Sequence, residues 1–279
     1  MPGRAGRRAR RAGLRGREHL ERRVPGRDGA DLIVGRVRAD ALGPLRPSGA
    51  TAPIRPSGTP QINHWNGSTW STSALPSGPC SVFEADCALT GVSGDSASDV
   101  IAVGEGTIPT STGWVTEALA YRWNGTAWSQ LTVPGSVTYD ELEHVQAFSP
   151  TDAWAVGVDS SAATGAAVAT ALNWNGSAWS QVATPVSTSN DLSINAISGT
   201  SASDIWVVGQ TVTPGYHNRQ FTSVIMHYNG TSWTSQPDPA GVNALTGHAV
   251  LSPGDLWFSG YYYPSNAVTA PAVLHTSSG

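Results

Sequence analysis

Three carboxylates and a scatter of aromatic side chains carry what chemistry this sequence offers. Glu105, Asp140 and Glu141 fall in segments read as loops. Two carboxyls held about 5–9 Å apart in a pocket can protonate a glycosidic oxygen and attack, or activate water. One reading is therefore a carbohydrate-active enzyme, a glycosidase or lyase. Around them lie Trp114, Tyr139, Tyr216, His217, Arg219, Tyr261, Tyr262 and Tyr263. Aromatic rings beside carboxylates and amides suit sugars, which present apolar faces and hydroxyl edges. The favoured reading is a binding module without catalytic residues, taking a carbohydrate or a protein partner. A third reading is a repeat scaffold with no ligand, in which these are ordinary exposed loop residues. No phosphate loop, nucleophile elbow or zinc motif is present, so neither cofactor nor metal is expected.

A repeat must position these loops. One phrase recurs as Trp65-Asn66-Gly67-Ser68-Thr69-Trp70, Trp123-Asn124-Gly125-Thr126-Ala127-Trp128, Trp174-Asn175-Gly176-Ser177-Ala178-Trp179 and Tyr228-Asn229-Gly230-Thr231-Ser232-Trp233. Its first aromatics stand 58, 51 and 54 residues apart. A second phrase runs from Asp99 to Gly104, Asp152 to Gly157, Asp204 to Gly209 and Asp255 to Gly260, spaced 53, 52 and 51 residues apart. Strand-like pieces at a period near 50 residues signal a radial β-repeat.

Within one unit, Ala153–Gly157 reads as strand A, expected innermost. Val168–Trp174 is strand B, Trp179–Ala183 strand C and Leu192–Ile197 strand D. Asn-Gly between B and C is a hairpin signal, because both residues tolerate positive φ. It also explains the glycosylation-like Asn66, Asn124, Asn175 and Asn229 without any sugar. In such a hairpin the paired aromatics Trp65, Trp70, Trp123, Trp128, Trp174, Trp179 and Trp233 share one sheet face. With Trp154, Trp206 and Trp257 of strand A they are expected to fill the wedge between blades. Asp99, Asp152, Asp204 and Asp255 follow Ser/Pro/Gly-rich turns, where a short carboxylate accepts backbone N–H bonds. Equivalent residues sit a blade apart, so these aspartates cannot form a catalytic pair. For the same reason His64, His227 and His275, which share one repeat position with Arg122 and Asn173, cannot gather around a metal.

The fold expected is all-β: a β-propeller of about four to five blades, each of four antiparallel strands. Residues 56–279 form repeats of about 52 residues. Two closures are open. The N-terminal C and D strands could complete the last blade of a closed four-bladed ring, or the chain is an open arc of about five blades, the reading favoured here. An open arc exposes strand edges and apolar faces, which invites self-association. The short B–C and D–A turns share one face of the blades, and the variable A–B and C–D loops share the other, where binding is expected.

Charge divides the chain. Residues 1–55 hold 14 of the 16 basic residues against five acids, a net +9, and have few large apolar groups. They are expected to be a disordered Arg-rich tail, with an over-extended start of translation as the alternative reading. The remainder has only Arg122 and Arg219 against 15 acids, and there is no lysine. Phosphate backbones need surface cations, so nucleic-acid binding by the repeats is not expected. No apolar stretch is long enough to span a membrane, and no signal peptide is visible. Cys80 and Cys87 read as a local disulfide in an oxidising compartment, or else as two unrelated buried thiols.

The paired phrases resemble the tryptophan-rich WNGTxW and SASDVWAVG-type propeller repeats of exported actinobacterial and other soil-bacterial proteins. The resemblance covers residues 60–279. It implies a propeller and an extracellular or cell-surface setting, but no single activity. The Asn-Gly-x-x-Trp turn is similar to the Asp-box turn of sialidase propellers. Those enzymes hold a carboxylate with three arginines, and the repeats here contain two. Resemblance to kelch oxidases or to WD40 repeats is poor, since neither paired glycines nor a Gly-His and Trp-Asp signature occurs.

Overall fold

The computed structural model describes residues 22–25, 31–36, 60–66, 68–82, 85–135, 140–160, 165–213, 219–238, 242–265 and 268–276, with side chains except at 22–36, 140, 263–265 and 268. Five antiparallel sheets follow one another along the chain. The first contains β1 (Arg22–Pro25), β2 (Asp31–Arg36), β3 (Pro60–Trp65) and β4 (Trp70–Ser73). The second contains β5 (Asp86–Ser96), β6 (Asp99–Thr110), β7 (Gly113–Trp123) and β8 (Trp128–Leu131). The third contains β9 (Asp140–Ser149), β10 (Asp152–Ser160), β11 (Ala167–Trp174) and β12 (Trp179–Val182), with the short β13 (Ser187–Thr188) paired to β11. The fourth contains β14 (Asp191–Ser201), β15 (Asp204–Val212), β16 (Phe221–Tyr228) and β17 (Trp233–Ser235). The fifth has three strands, β18 (Ala244–Ser252), β19 (Asp255–Ser265) and β20 (Val268–Thr276).

Each sheet is a meander, and the sheets pack in series as an arc of blades. Two expectations change. Each sheet opens with the strand read as D, so blades are phased one strand earlier than the sequence suggests. The innermost strand is this one rather than A, because β5 packs on β9, β9 on β14 and β14 on β18. The closed four-bladed ring is also excluded. β3 and β4 pair with β2 in their own sheet, and no comparable packing joins β18–β20 to β1–β4 among the described residues. Within residues 1–55, read as a tail, Asp31–Arg36 pairs with β3 through Leu32, Ile33 and Val34. Arg22–Pro25 pairs in turn with Asp31–Val34, and the remaining residues of that segment lie outside the described ones.

Local chemistry explains the hairpins. The aromatics stand directly opposite one another: Trp65 and Trp70, Trp123 and Trp128, Trp174 and Trp179, Tyr228 and Trp233. Gly125, Gly176 and Gly230 take φ of +93°, +93° and +89°, a region open mainly to glycine. The asparagine acts through its side chain. Asn124 Oδ1 accepts from the Thr126 and Ala127 amides at 3.0 and 2.9 Å. Asn175 and Asn229 repeat this with their own turns.

The last glycine of the second phrase has another role. Strand A does not end there; β6, β10, β15 and β19 run on for several residues. Opposite each glycine the first strand of the sheet carries a β-bulge, with Thr90, Glu143, Asn195 and Thr246 as the extra residues. The bulge drives a carbonyl into the glycine. A Cβ at Gly104, Gly157, Gly209 or Gly260 would sit 2.0, 1.9, 2.1 or 2.1 Å from the oxygen of Ala88, Glu141, Ser193 or Ala244.

The core lies between blades. Hairpin aromatics face the preceding blade, so Trp128, Trp179 and Trp233 are 5–6% exposed. Strand-A indoles face the following blade, and Trp154 packs 4.5 Å from Tyr228 and 5.5 Å from Trp233. Two indoles expected in the core are not there. Trp70 is 43% and Trp257 41% exposed. Each faces away from the arc, where no neighbouring blade covers it. Trp154→Ala is therefore expected to cost about 3–5 kcal/mol. Trp257→Ala should cost a small fraction of that, and chemical denaturation of both variants checks the contrast.

The repeated aspartates are structural in a different way from that expected, because they bond across the strand to strand-B side chains. Asp99 holds Arg122 bidentately at 2.7 and 2.8 Å. Asp152 pairs with Asn173 at 3.1 Å, and Asp204 and Asp255 pair with His227 and His275 at 2.8 Å. Trp206 and Trp257 stack on those histidines with centroids 4.2 Å apart. Burial raises the Asp204 carboxyl, but hydrogen bonds from Thr200, His227 and Trp206 outweigh it and hold the group below the usual range. Cys80 and Cys87 form a disulfide beside the first blade interface.

Candidate functional site

The A–B and C–D side of the blades presents Trp114, Tyr261 and Tyr262, on strands rather than loops. β6 and β7 form a long hairpin that carries Trp114 opposite Pro109 near its tip. β19 and β20 form another, with Tyr261 opposite Pro271 and Tyr262 opposite Ala270. All three rings are exposed, as is Arg219. Trp114 belongs to the second blade and the tyrosines to the fifth, so the fold does not place them in one sheet. Tyr139, Tyr216, His217 and the side chains of Tyr263 and Asp140 lie outside the described residues.

The same side holds a cluster of carboxyls close to the inner strands. Glu141 lies on β9 and Glu105 on β6 of the preceding blade; the two side chains share a hydrogen bond. Burial, then the Glu105 hydrogen bond and charge, lift the Glu141 carboxyl to about 7. Glu143, two residues on, occupies the bulge of β9. Its Oε2 accepts the Ile194 amide of the following blade at 2.8 Å. His144 Nε2 lies 3.1 Å from the Ile194 carbonyl oxygen, so one residue is held through both its backbone N–H and its C=O. Burial raises Glu143 to about 8 against the pull of that amide, and the charges of Glu141 and Glu105 add to the rise.

Glu143 belongs to a seam of bulge residues. Thr90 Oγ1 donates to the Leu142 carbonyl oxygen at 2.6 Å, and Asn195 Nδ2 donates to the Leu245 carbonyl oxygen at 2.6 Å, each reaching the next blade. Glu143 was not singled out from the sequence. Its repeat equivalents are Thr90, Asn195 and Thr246, so the position has no constant residue, and only the strand register identifies it. Among the described residues no group of three His, Cys, Asp or Glu is arranged to hold a metal ion.

The opposite side has a cleft of about 500 Å³ between the second and third blades, lined by Ser96, Asp99, Arg122, Asn124, Leu131 and Trp174 among others. Arg122 lines it from the second blade. Besides Asp99 it donates to the Pro150 carbonyl oxygen at 3.1 Å and lies 5.6 Å over the Trp174 ring. Its donors are used in joining two blades, which makes this cleft structural.

No family model matches the chain, and no curated protein matches it. Solved structures do. A polysaccharide lyase of family PL25, an ulvan lyase bound to -[GlcA(1-4)Rha3S]-, matches 92% of this chain and 64% of its own, with TM-score 0.50 and 12% identity. The Bombyx mori GH32 β-fructofuranosidase matches 84% of this chain and 52% of its own, with TM-score 0.42 and 9% identity. The Penicillium chrysogenum α-L-arabinanase complexed with arabinobiose matches 85% and 76%, with TM-score 0.47 and 9% identity. The chain spans about half to two thirds of the length of the first two. At these identities the likeness establishes the β-propeller fold and nothing about activity.

Proposed function

We propose that this propeller is a non-catalytic binding module for carbohydrate, acting through its A–B/C–D side. The observation that carries this reading is the hydrogen-bonded Glu105–Glu141 pair on the side that exposes Trp114, Tyr261 and Tyr262. Carboxyls and exposed rings on one side of the blades suit sugar hydroxyls and apolar faces. The disulfide supports an extracellular or cell-surface setting. Glycan-array binding by the full chain tests the reading. Binding should be lost in Trp114→Ala or Tyr262→Ala, which touch no core. A blank array with folded protein would leave the scaffold reading.

A second reading is favoured by one observation, the carboxyls raised to about 7 and 8. Such groups hold a proton at neutral pH, as a general acid must. A glycosidase or lyase acting through Glu141 should release reducing ends from a polysaccharide and lose that activity in Glu141→Gln. The binding module should release none in either form.

A further inference from the structure

Each end of the arc exposes side chains whose repeat equivalents are covered between blades. Between the second and third blades and between the third and fourth, a blade offers its successor strand-A side chains and receives the successor's hairpin aromatics; Ile101 and Val103 meet Trp174 and Trp179. Trp154 meets Tyr228 and Trp233 in this way. Trp206 packs against the fifth blade beside Leu256, Phe258 and Leu274. At the far end Trp257 occupies the same repeat position as Trp154 and Trp206, and Tyr261 and Val273 share its side of the sheet. All three are exposed. At the near end Trp70, equivalent to the buried Trp128, Trp179 and Trp233, is exposed beside Trp65, 5.3 Å away.

The bulge seam ends at the same place. Thr90 and Asn195 donate across to the next blade. Thr246, their equivalent in the fifth blade, donates within its own sheet to the Ser259 carbonyl oxygen at 3.3 Å, as Thr90 also does to Val103, and has no following blade to reach among the described residues. One end thus displays an uncovered offering surface and the other an uncovered receiving surface.

We propose that a second copy of this chain docks head to tail, its first blade on the fifth blade of its partner. The contact continues the geometry of the four internal interfaces and is heterologous, so each copy uses both ends. Asn63 stands where the internal interfaces place Tyr121, Leu172 and Met226, and it bonds Thr72 at 2.9 Å. The docked interface is therefore more polar than the internal ones, and the association is reversible. This inference does not depend on the carbohydrate reading.

Sedimentation equilibrium of the full chain, from low micromolar to near millimolar concentration, tests it. The mass should rise with concentration above the 29.0 kDa of one chain. Trp257→Arg and Trp70→Arg change exposed residues at opposite ends. Each variant alone should stay at the single-chain mass, with near-ultraviolet circular dichroism confirming the fold. An equimolar mixture should reach twice that mass and no more, because one intact end of each kind remains. Wild-type protein that keeps the single-chain mass throughout overturns the proposal. So does a mixture that stays monomeric while wild type associates, or association that both single variants retain.

Discussion

Gly157→Ala is expected to cost about 4 kcal/mol or more of stability. The added Cβ would lie 1.9 Å from the Glu141 carbonyl oxygen and 2.8 Å from Leu142 Cα. Both are backbone, so no side chain can swing away. Relief requires flattening the bulge of β9, which would withdraw Glu143 from Ile194 and Leu142 from Thr90. The effect thus spreads to both neighbouring blades. Gly165→Ala, with φ +65° and nothing within 4 Å, is the control and should cost about 1 kcal/mol or less. Urea midpoints of the two variants decide it. Near-equal costs would mean that the bulge carbonyl does not press on Gly157.

The second large effect is a dependence on pH. Glu143 has a folded-state pKa of about 8 against an ordinary 4.5, set chiefly by burial. Between those values the folded chain holds a proton that the unfolded chain has released. The contribution of Glu143 is fully present below about pH 4.5, falls as pH rises, and is gone above about 8. Glu143→Gln keeps an oxygen to accept the Ile194 amide and cannot ionise. The variant should match wild type near pH 5 and exceed it at pH 9 by about 1–3 kcal/mol, a range that allows for the partial exposure of the group. Asp204, held below the usual range, acts in the opposite sense at acid pH and is common to both proteins. Denaturation midpoints across pH 5–9 check the difference. A variant less stable than wild type at pH 9 would show that Glu143 is ionised and stabilised there.

The fold was legible because its repeat is written in local chemistry. Asn-Gly bends and indole pairs lie within six residues of one another, and those residues make the turn. Blade phasing was not legible. A period has no starting point, and only the pairing of β5 with β6, rather than with the preceding hairpin, locates the boundary. The β2 strand was hidden for a related reason. Asp31-Leu32-Ile33-Val34-Gly35 is a copy of the second phrase shortened by one residue, 68 residues before Asp99, and so off the beat. Of the site, Glu105 and Glu141 were visible as acids, but their contact was not. It joins β6 of one blade to β9 of the next. Trp70 and Trp257 match the buried indoles in local sequence and differ only in lacking a neighbour, which no local pattern records.

The central claim is that indoles are wedged between radially arranged sheets, and their own N–H protons report on it. Trp128, Trp154, Trp179 and Trp233 have buried indole N–H groups with no acceptor among the described residues. Trp70, Trp114 and Trp257 are exposed. Hydrogen exchange of the 11 indole N–H signals, followed by nuclear magnetic resonance at a concentration where the chain is monomeric, separates these sets. The first four should persist for hours or longer, and the last three should vanish within the dead time. Rapid loss of all of them, or slow exchange of Trp70 and Trp257 alongside the rest in the monomer, would contradict the open arc of wedged blades.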